Sequence, residues 1–178
     1  MPALRPITGE RTVLPVLRRT TSAGGLGWLD VMLPGRPNGR TGWISQSGTD
    51  AATTSWHIVV DVSTRSVIVY KGGRQVRVFS AIVGKASTPT PLGEFFIEED
   101  VLLQATEAGA PDALALSARS EVLQEFAGGR GQIAIHGVAN IGGVLGTAVS
   151  HGCIRVNSAA LRWLVLRTGP GVPVTITK

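Results

Sequence analysis

Trp56-His57-Ile58-Val59-Val60-Asp61-Val62, Ser66-Val67-Ile68-Val69-Tyr70 and the stretch from Gln75 to Val83 follow one another as three runs rich in β-branched residues. Polar Ser63-Thr64-Arg65 separates the first two, and Gly72-Gly73 supplies a hairpin turn into the third. Short strands joined in this way imply an antiparallel sheet or sandwich. Downstream, Lys85-Ala86-Ser87-Thr88-Pro89-Thr90-Pro91-Leu92-Gly93 interrupts regular structure. Each proline there removes a hydrogen-bond donor and forces its predecessor into an extended conformation. Glu94 to Glu98 resumes as a strand, Ser117 to Phe126 reads as a helix ended by Gly128-Gly129, and Gln132 to His136 is again a strand. A second helix follows an Asn157 N-cap and runs through Trp163 to about Arg167, where Gly169-Pro170 stops it. Val172 to Thr177 closes the sheet. The expected fold is mainly β, with one or two short helices.

Upstream, Trp28-Leu29-Asp30-Val31-Met32-Leu33 reads as a half-buried strand. Pro34-Gly35-Arg36-Pro37-Asn38-Gly39 is dense turn chemistry, and Thr41-Gly42-Trp43-Ile44 begins a returning strand. This hairpin resembles part of a bacterial SH3-like module. Residues 1–50 are therefore expected to be a small β appendage, 51–55 a linker low in apolar content, and 56–178 the main domain. Trp28 and Trp43 are expected to pack the hairpin rather than to contact a glycan.

Composition narrows the function classes. Of the 178 residues, 43% are hydrophobic and 16% charged, enough apolar content for one packed domain and too little charge for wholesale disorder. No apolar run approaches the ~20 residues that span a bilayer. The net charge of +5 favours anionic partners, the anionic bacterial wall among them. Nucleic acid is not expected, because the cations are spread along the chain without a finger, helix-turn-helix or RNA-binding signature. A single cysteine excludes an internal disulfide.

That cysteine stands in Ser150-His151-Gly152-Cys153-Ile154-Arg155, and His136-Gly137 lies upstream at the end of a strand. A thiol at neutral pH is mostly protonated and a poor nucleophile until a neighbour lowers its pKa or takes its proton. Two of the three histidines fall within 17 residues of Cys153, so imidazole is at hand for both tasks. The helix expected near Asn157 would add modest stabilisation to a thiolate, on the order of 0.3–1 kcal/mol. Gly152 allows the backbone to approach a substrate carbonyl, and the amides of Gly152 and Cys153 are candidate oxyanion donors.

His136 followed by the Ser150–Arg155 hexapeptide resembles the active-site motif of the L,D-transpeptidases, the YkuD domain. Val83-Gly84-Lys85 with Thr90-Pro91-Leu92-Gly93-Glu94-Phe95 is similar to a second signature of that family, and the resemblance covers about residues 55 to 178. It implies a β-sandwich with the cysteine at the base of a cleft. It also implies peptidoglycan stem peptides as donor and acceptor, with release of a terminal D-alanine and no cofactor. On this resemblance Cys153 is the nucleophile, His136 the general base, Gly137 the residue whose carbonyl orients it, and His151 a support for the thiolate. Arg155 suits either a structural contact or the substrate carboxylate, and Ser150 is a further candidate for substrate binding. Gly137 stands where some members carry serine. The Gly-rich spacer Val138 to Val149 is expected to be a mobile flap.

Carbapenem-type β-lactams are expected to acylate the same thiol. Export is implied by a wall substrate, although Met1 to Thr21 shows no signal-peptide pattern, so the leader is expected to lie outside this chain. Two rivals are a zinc peptidase using His136, His151 and Cys153 as ligands, and a non-catalytic wall-binding module. His57, inside an apolar strand, is expected to be a packed, hydrogen-bonded residue, and Glu98-Glu99-Asp100 a solvated strand end.

Overall fold

Alternation of apolar and polar residues turns one face of a strand toward an interior, as in Trp56–Asp61 and Ser66–Lys71. In the computed structural model, which describes residues 2–5, 7–125 and 129–178, the chain runs through thirteen strands and one helix. The first three are β1 (Val16–Thr21), β2 (Gly27–Met32) and β3 (Thr41–Ser45), joined as a three-stranded antiparallel sheet. Then come β4 (Trp56–Asp61), β5 (Ser66–Lys71), β6 (Arg74–Ser80), β7 (Val83–Gly84), β8 (Gly93–Leu102) and β9 (Asp112–Arg119). The chain continues with β10 (Gln132–His136), β11 (Ala148–Ser150), β12 (Ile154–Arg155), α1 (Ser158–Val165) and β13 (Pro173–Thr177). Eight strands form one curled sheet in the order β12-β10-β9-β8-β13-β4-β5-β6, and β11 pairs with β7 beside it.

The meander read from Trp56 to Val83 is present as β4, β5 and β6, antiparallel in that order. Ile58 and Val60 on β4 and Val67 and Val69 on β5 are fully buried, the alternate positions facing inward. Phe95, Ile97, Leu114, Leu116, Ile133, Ile135, Val174 and Ile176 extend this core. Leu161 and Leu164 of α1 close it from one side. The Asn157 side chain caps α1 by accepting the Ala160 amide at 2.8 Å, a contact worth about 1 kcal/mol. His57 is packed as expected, its Nε2 2.8 Å from the Thr175 hydroxyl.

Two expectations fail. Ser117 to Phe126 is not a helix: Ser117–Arg119 ends β9, residues 120–125 are irregular, and Phe126 and Gly128 lie outside the described residues. Leu114, Leu116 and Ala118 all point into the core at a spacing of two, and that strand period prevails over the apparent helical pattern. Glu98 and Glu99 are not solvated, since they keep 2% and 1% exposure. Arg5 and Arg119 compensate that burial. Arg5 pairs with Glu98 and lies 3.5 Å from Glu99, while Arg119 Nη2 reaches Glu98 at 3.0 Å. Finally, residues 16–45 form a plain three-stranded sheet that does not establish an SH3-like module.

Turn residues 35–38 dock that small sheet onto the end of β9: the Gly35 amide donates to Ser117, and Asn38 exchanges two hydrogen bonds with the backbone of Arg119. Among the described residues no helix is long and apolar enough to cross a membrane.

Candidate active site

β10 and β12 run parallel, with Ile135 opposite Ile154 and His136 opposite Arg155. This pairing brings the strand-end histidine beside the hexapeptide read from the sequence. Cys153 precedes β12, and its Sγ lies 3.9 Å from the carbonyl of Gln132 at the start of β10. His136, His151, Cys153 and Arg155 all line one cleft, together with Ser120, Leu123, Gln132 and Ile141. Its cavity volume is about 40 Å³, little more than one water occupies.

His136 is 8% exposed, and its Nδ1 lies 2.8 Å from the Gly137 carbonyl. A carbonyl only accepts, so Nδ1 carries the hydrogen and Nε2 keeps its lone pair. Burial pushes the imidazole pKa below its ordinary value, with the nearby Arg155 charge acting in the same direction against the Gly137 bond. Burial likewise pushes the Cys153 thiol up, against weaker opposing help from the Ala134 backbone and from Arg155. Both groups are therefore held toward their neutral forms.

Gly109 escaped the sequence reading. A Cβ there would stand 2.2 Å from His136 Nδ1, so only glycine lets the chain lie against the ring. Gly137 is similarly confined, because its Cβ would meet the Ala110 and Gly109 carbonyl oxygens at 2.8 and 2.9 Å. No sequence signal marks Gly109, which reaches the site only through tertiary packing.

The hexapeptide is held by the proline-bearing loop. Thr90 Oγ1 accepts the Gly84 amide at 2.9 Å and donates to the Gly152 carbonyl at 2.8 Å. The Lys85 amide and the Thr88 hydroxyl both donate to Ser150 O, at 3.0 and 3.3 Å. Gly152 has φ +120° and would carry a Cβ 2.9 Å from Ile133, which fixes glycine there. Ser150 is fully buried, its hydroxyl donating to Cys153 O at 2.6 Å and accepting the Gly152 amide at 3.1 Å. That places Ser150 inside the loop rather than in the cleft, and it commits the Gly152 amide internally.

His151 is exposed at the rim. Arg155 is 8% exposed; its Nη1 donates to Gly142 O at 3.3 Å, and its buried Nε has no hydrogen-bond partner. Among the described residues no three His, Cys, Asp or Glu side chains are grouped to hold a metal ion. His136, His151 and Cys153 share a cleft without forming the ligand set that the zinc alternative requires.

Residues 55–176 match the family described as YkuD, the L,D-transpeptidase catalytic domain. YkuD of Bacillus subtilis (strain 168), whose own designation as an L,D-transpeptidase is provisional, is 30% identical over 129 residues, 72% of this chain and 70% of that protein. An L,D-transpeptidase from Mycobacterium smegmatis superposes with a TM-score of 0.53 at 18% identity, covering 94% of this chain and 100% of that one. A second L,D-transpeptidase structure, in complex with imipenem, does so at 0.53 and 19%, covering 94% and 82%. At such identities the superpositions show the shared fold. With its curled sheet, its cleft and its match from residue 55 to residue 176, the chain belongs to the L,D-transpeptidase catalytic domain family, YkuD.

Proposed function

We propose that the protein is a peptidoglycan L,D-transpeptidase acting through Cys153. The carrying observation is the fixed tautomer of His136 in the cleft that also holds the Cys153 thiol. His136 Nε2 takes the thiol proton as sulfur attacks the carbonyl of the donor stem. A carbon–sulfur bond forms, the amide bond to the terminal D-alanine breaks, and the proton passes to the departing amine. The amine of a second stem then attacks the thioester and restores the thiol, leaving a cross-link. Burial favours the neutral form of both groups, which supports proton transfer in step with attack.

The oxyanion assignment moves to the Cys153 amide, since the Gly152 amide already serves Ser150. Arg155, a largely buried cation whose side chain lines the cleft, suits a substrate carboxylate. Ser150 is assigned to holding the loop, and His151 at the rim to proton traffic with solvent. A peptidoglycan substrate places the protein outside the cytoplasmic membrane, and a strained carbapenem carbonyl should acylate Cys153 as the donor amide does. We further propose the division into residues 1–50, a linker at 51–55 and a catalytic domain over 56–178.

The test is D-alanine release from a tetrapeptide stem, with and without an amine acceptor. Release with cross-linked product supports transpeptidation. Release without product, whatever the acceptor, would indicate hydrolysis by water instead. A folded, reduced protein that releases no D-alanine overturns the reading.

A further inference from the structure

The turn between β2 and β3 carries one side chain that reaches the active-site cleft wall. Arg36 makes five hydrogen bonds to four backbone carbonyls of residues 120–130. Nε and Nη2 both reach Ser120 O, at 3.1 and 2.7 Å; Nη2 also reaches Leu123 O at 2.6 Å. Nη1 reaches Arg130 O at 3.1 Å and Gln124 O at 3.4 Å. A planar fork of five donors can gather four carbonyls in this way, whereas an ammonium offers three donors from a single atom. The segment closes on itself through Ser120 N to Gly131 O at 2.7 Å, and Gly131 has room for no side chain between Leu123 O and Arg36.

Ser120, Leu123, Gly131 and Gln132 of this segment line the cleft, and Gln132 is the residue whose carbonyl approaches Cys153. We propose that Arg36 is a positioning residue for the reaction: from the N-terminal sheet it fixes this wall and so sets how the donor peptide seats before Cys153. The inference rests on the functional reading above. The small N-terminal sheet thereby becomes part of the substrate-binding apparatus, although it contributes no group to the chemistry.

The test compares the parent chain with Arg36→Ala, Arg36→Lys and, as a control elsewhere in residues 1–50, Arg11→Ala, which cuts the exposed Arg11–Asp50 pair. Four quantities are read: kcat and KM for D-alanine release, the rate of Cys153 alkylation by iodoacetamide, amide hydrogen exchange at Val122 and Leu123, and Tm. Arg36→Ala should raise KM at least 10-fold and exchange at Val122 and Leu123 at least 10-fold, with alkylation within twofold of parent. Arg36→Lys should recover only part of the loss, and Arg11→Ala should match the parent. Should Arg36→Ala not fold, Arg36→Lys carries the same comparison. Parent KM and parent exchange in a folded variant overturn the proposal, as does a KM rise matched by an equal fall in alkylation. A parent chain that releases no D-alanine overturns the functional reading, while the exchange comparison still decides whether Arg36 holds the wall.

Discussion

Gly109 and His136 are fitted to one another: a Cβ on the glycine would stand 2.2 Å from the imidazole Nδ1, the atom that donates to the Gly137 carbonyl. The glycine has φ +92°, so alanine there meets backbone strain as well as the ring. Gly109→Ala is expected to displace the imidazole by a fraction of an ångström or more. A misplacement near 1 Å costs about 10²-fold in rate, and kcat/KM for D-alanine release reads it. An alanine variant at the parent rate would show that the ring has slack.

The acid limb of the pH profile follows from the direction of the His136 shift. A general base works unprotonated, and burial holds this imidazole below the ordinary 6.5. Acylation of Cys153 should therefore be level from pH 8 to 7 and fall only below about 6.5. His136→Ala should lower the plateau by roughly 10² to 10⁴ and abolish that limb. A rate already falling between pH 8 and 7 would assign the limb to another group.

Thr90 ties the proline-bearing loop to the nucleophile loop. Thr90→Val keeps the shape but leaves the part-buried Gly84 amide and the buried Gly152 carbonyl without this partner. Unfolding in urea should show a loss on the order of 1–3 kcal/mol for each orphaned group that finds no water. Thr88→Val removes a single 3.3 Å bond and should cost less. Equal losses would show that Thr90 is not the principal tie.

Asp100 predicts a second pH effect, on stability. Burial and the charges of Asp112 and Glu10 raise its pKa to about 6 from 3.8, and its Oδ1 is buried without a partner. The folded state thus holds this proton more tightly than the unfolded chain, so stability falls as pH rises from about 3.8 to 6. Asp100→Asn should stabilise the protein at pH 8 by roughly 1–3 kcal/mol and change little at pH 4. A stabilisation of the same size at both pH values would mean that charge is not the cause.

Much of this was legible in the sequence because it is local. The β4–β6 meander follows from β-branched alternation broken by Gly72-Gly73, and the α1 cap from Asn157 before a helical stripe. Cys153 and its two histidines announce themselves as reactive types gathered around the only thiol. What escaped is tertiary. Glu98 and Glu99 read as surface charges because their partners, Arg5 and Arg119, are distant in sequence. Ser117 to Arg119, at the start of the stretch read as helix, end a strand buried on both sides, which loses the polar alternation that would identify it. Gly109, Thr90 and Arg36 act on the site through contacts that no spacing rule encodes.

Intact-protein mass spectrometry after incubation with a tetrapeptide stem tests the central claim most directly. The expected adduct equals the stem less D-alanine, maps to the peptide bearing Cys153 and is missing in Cys153→Ala. An adduct that survives in Cys153→Ala, or none on folded, reduced parent protein trapped within the first turnover, would contradict it.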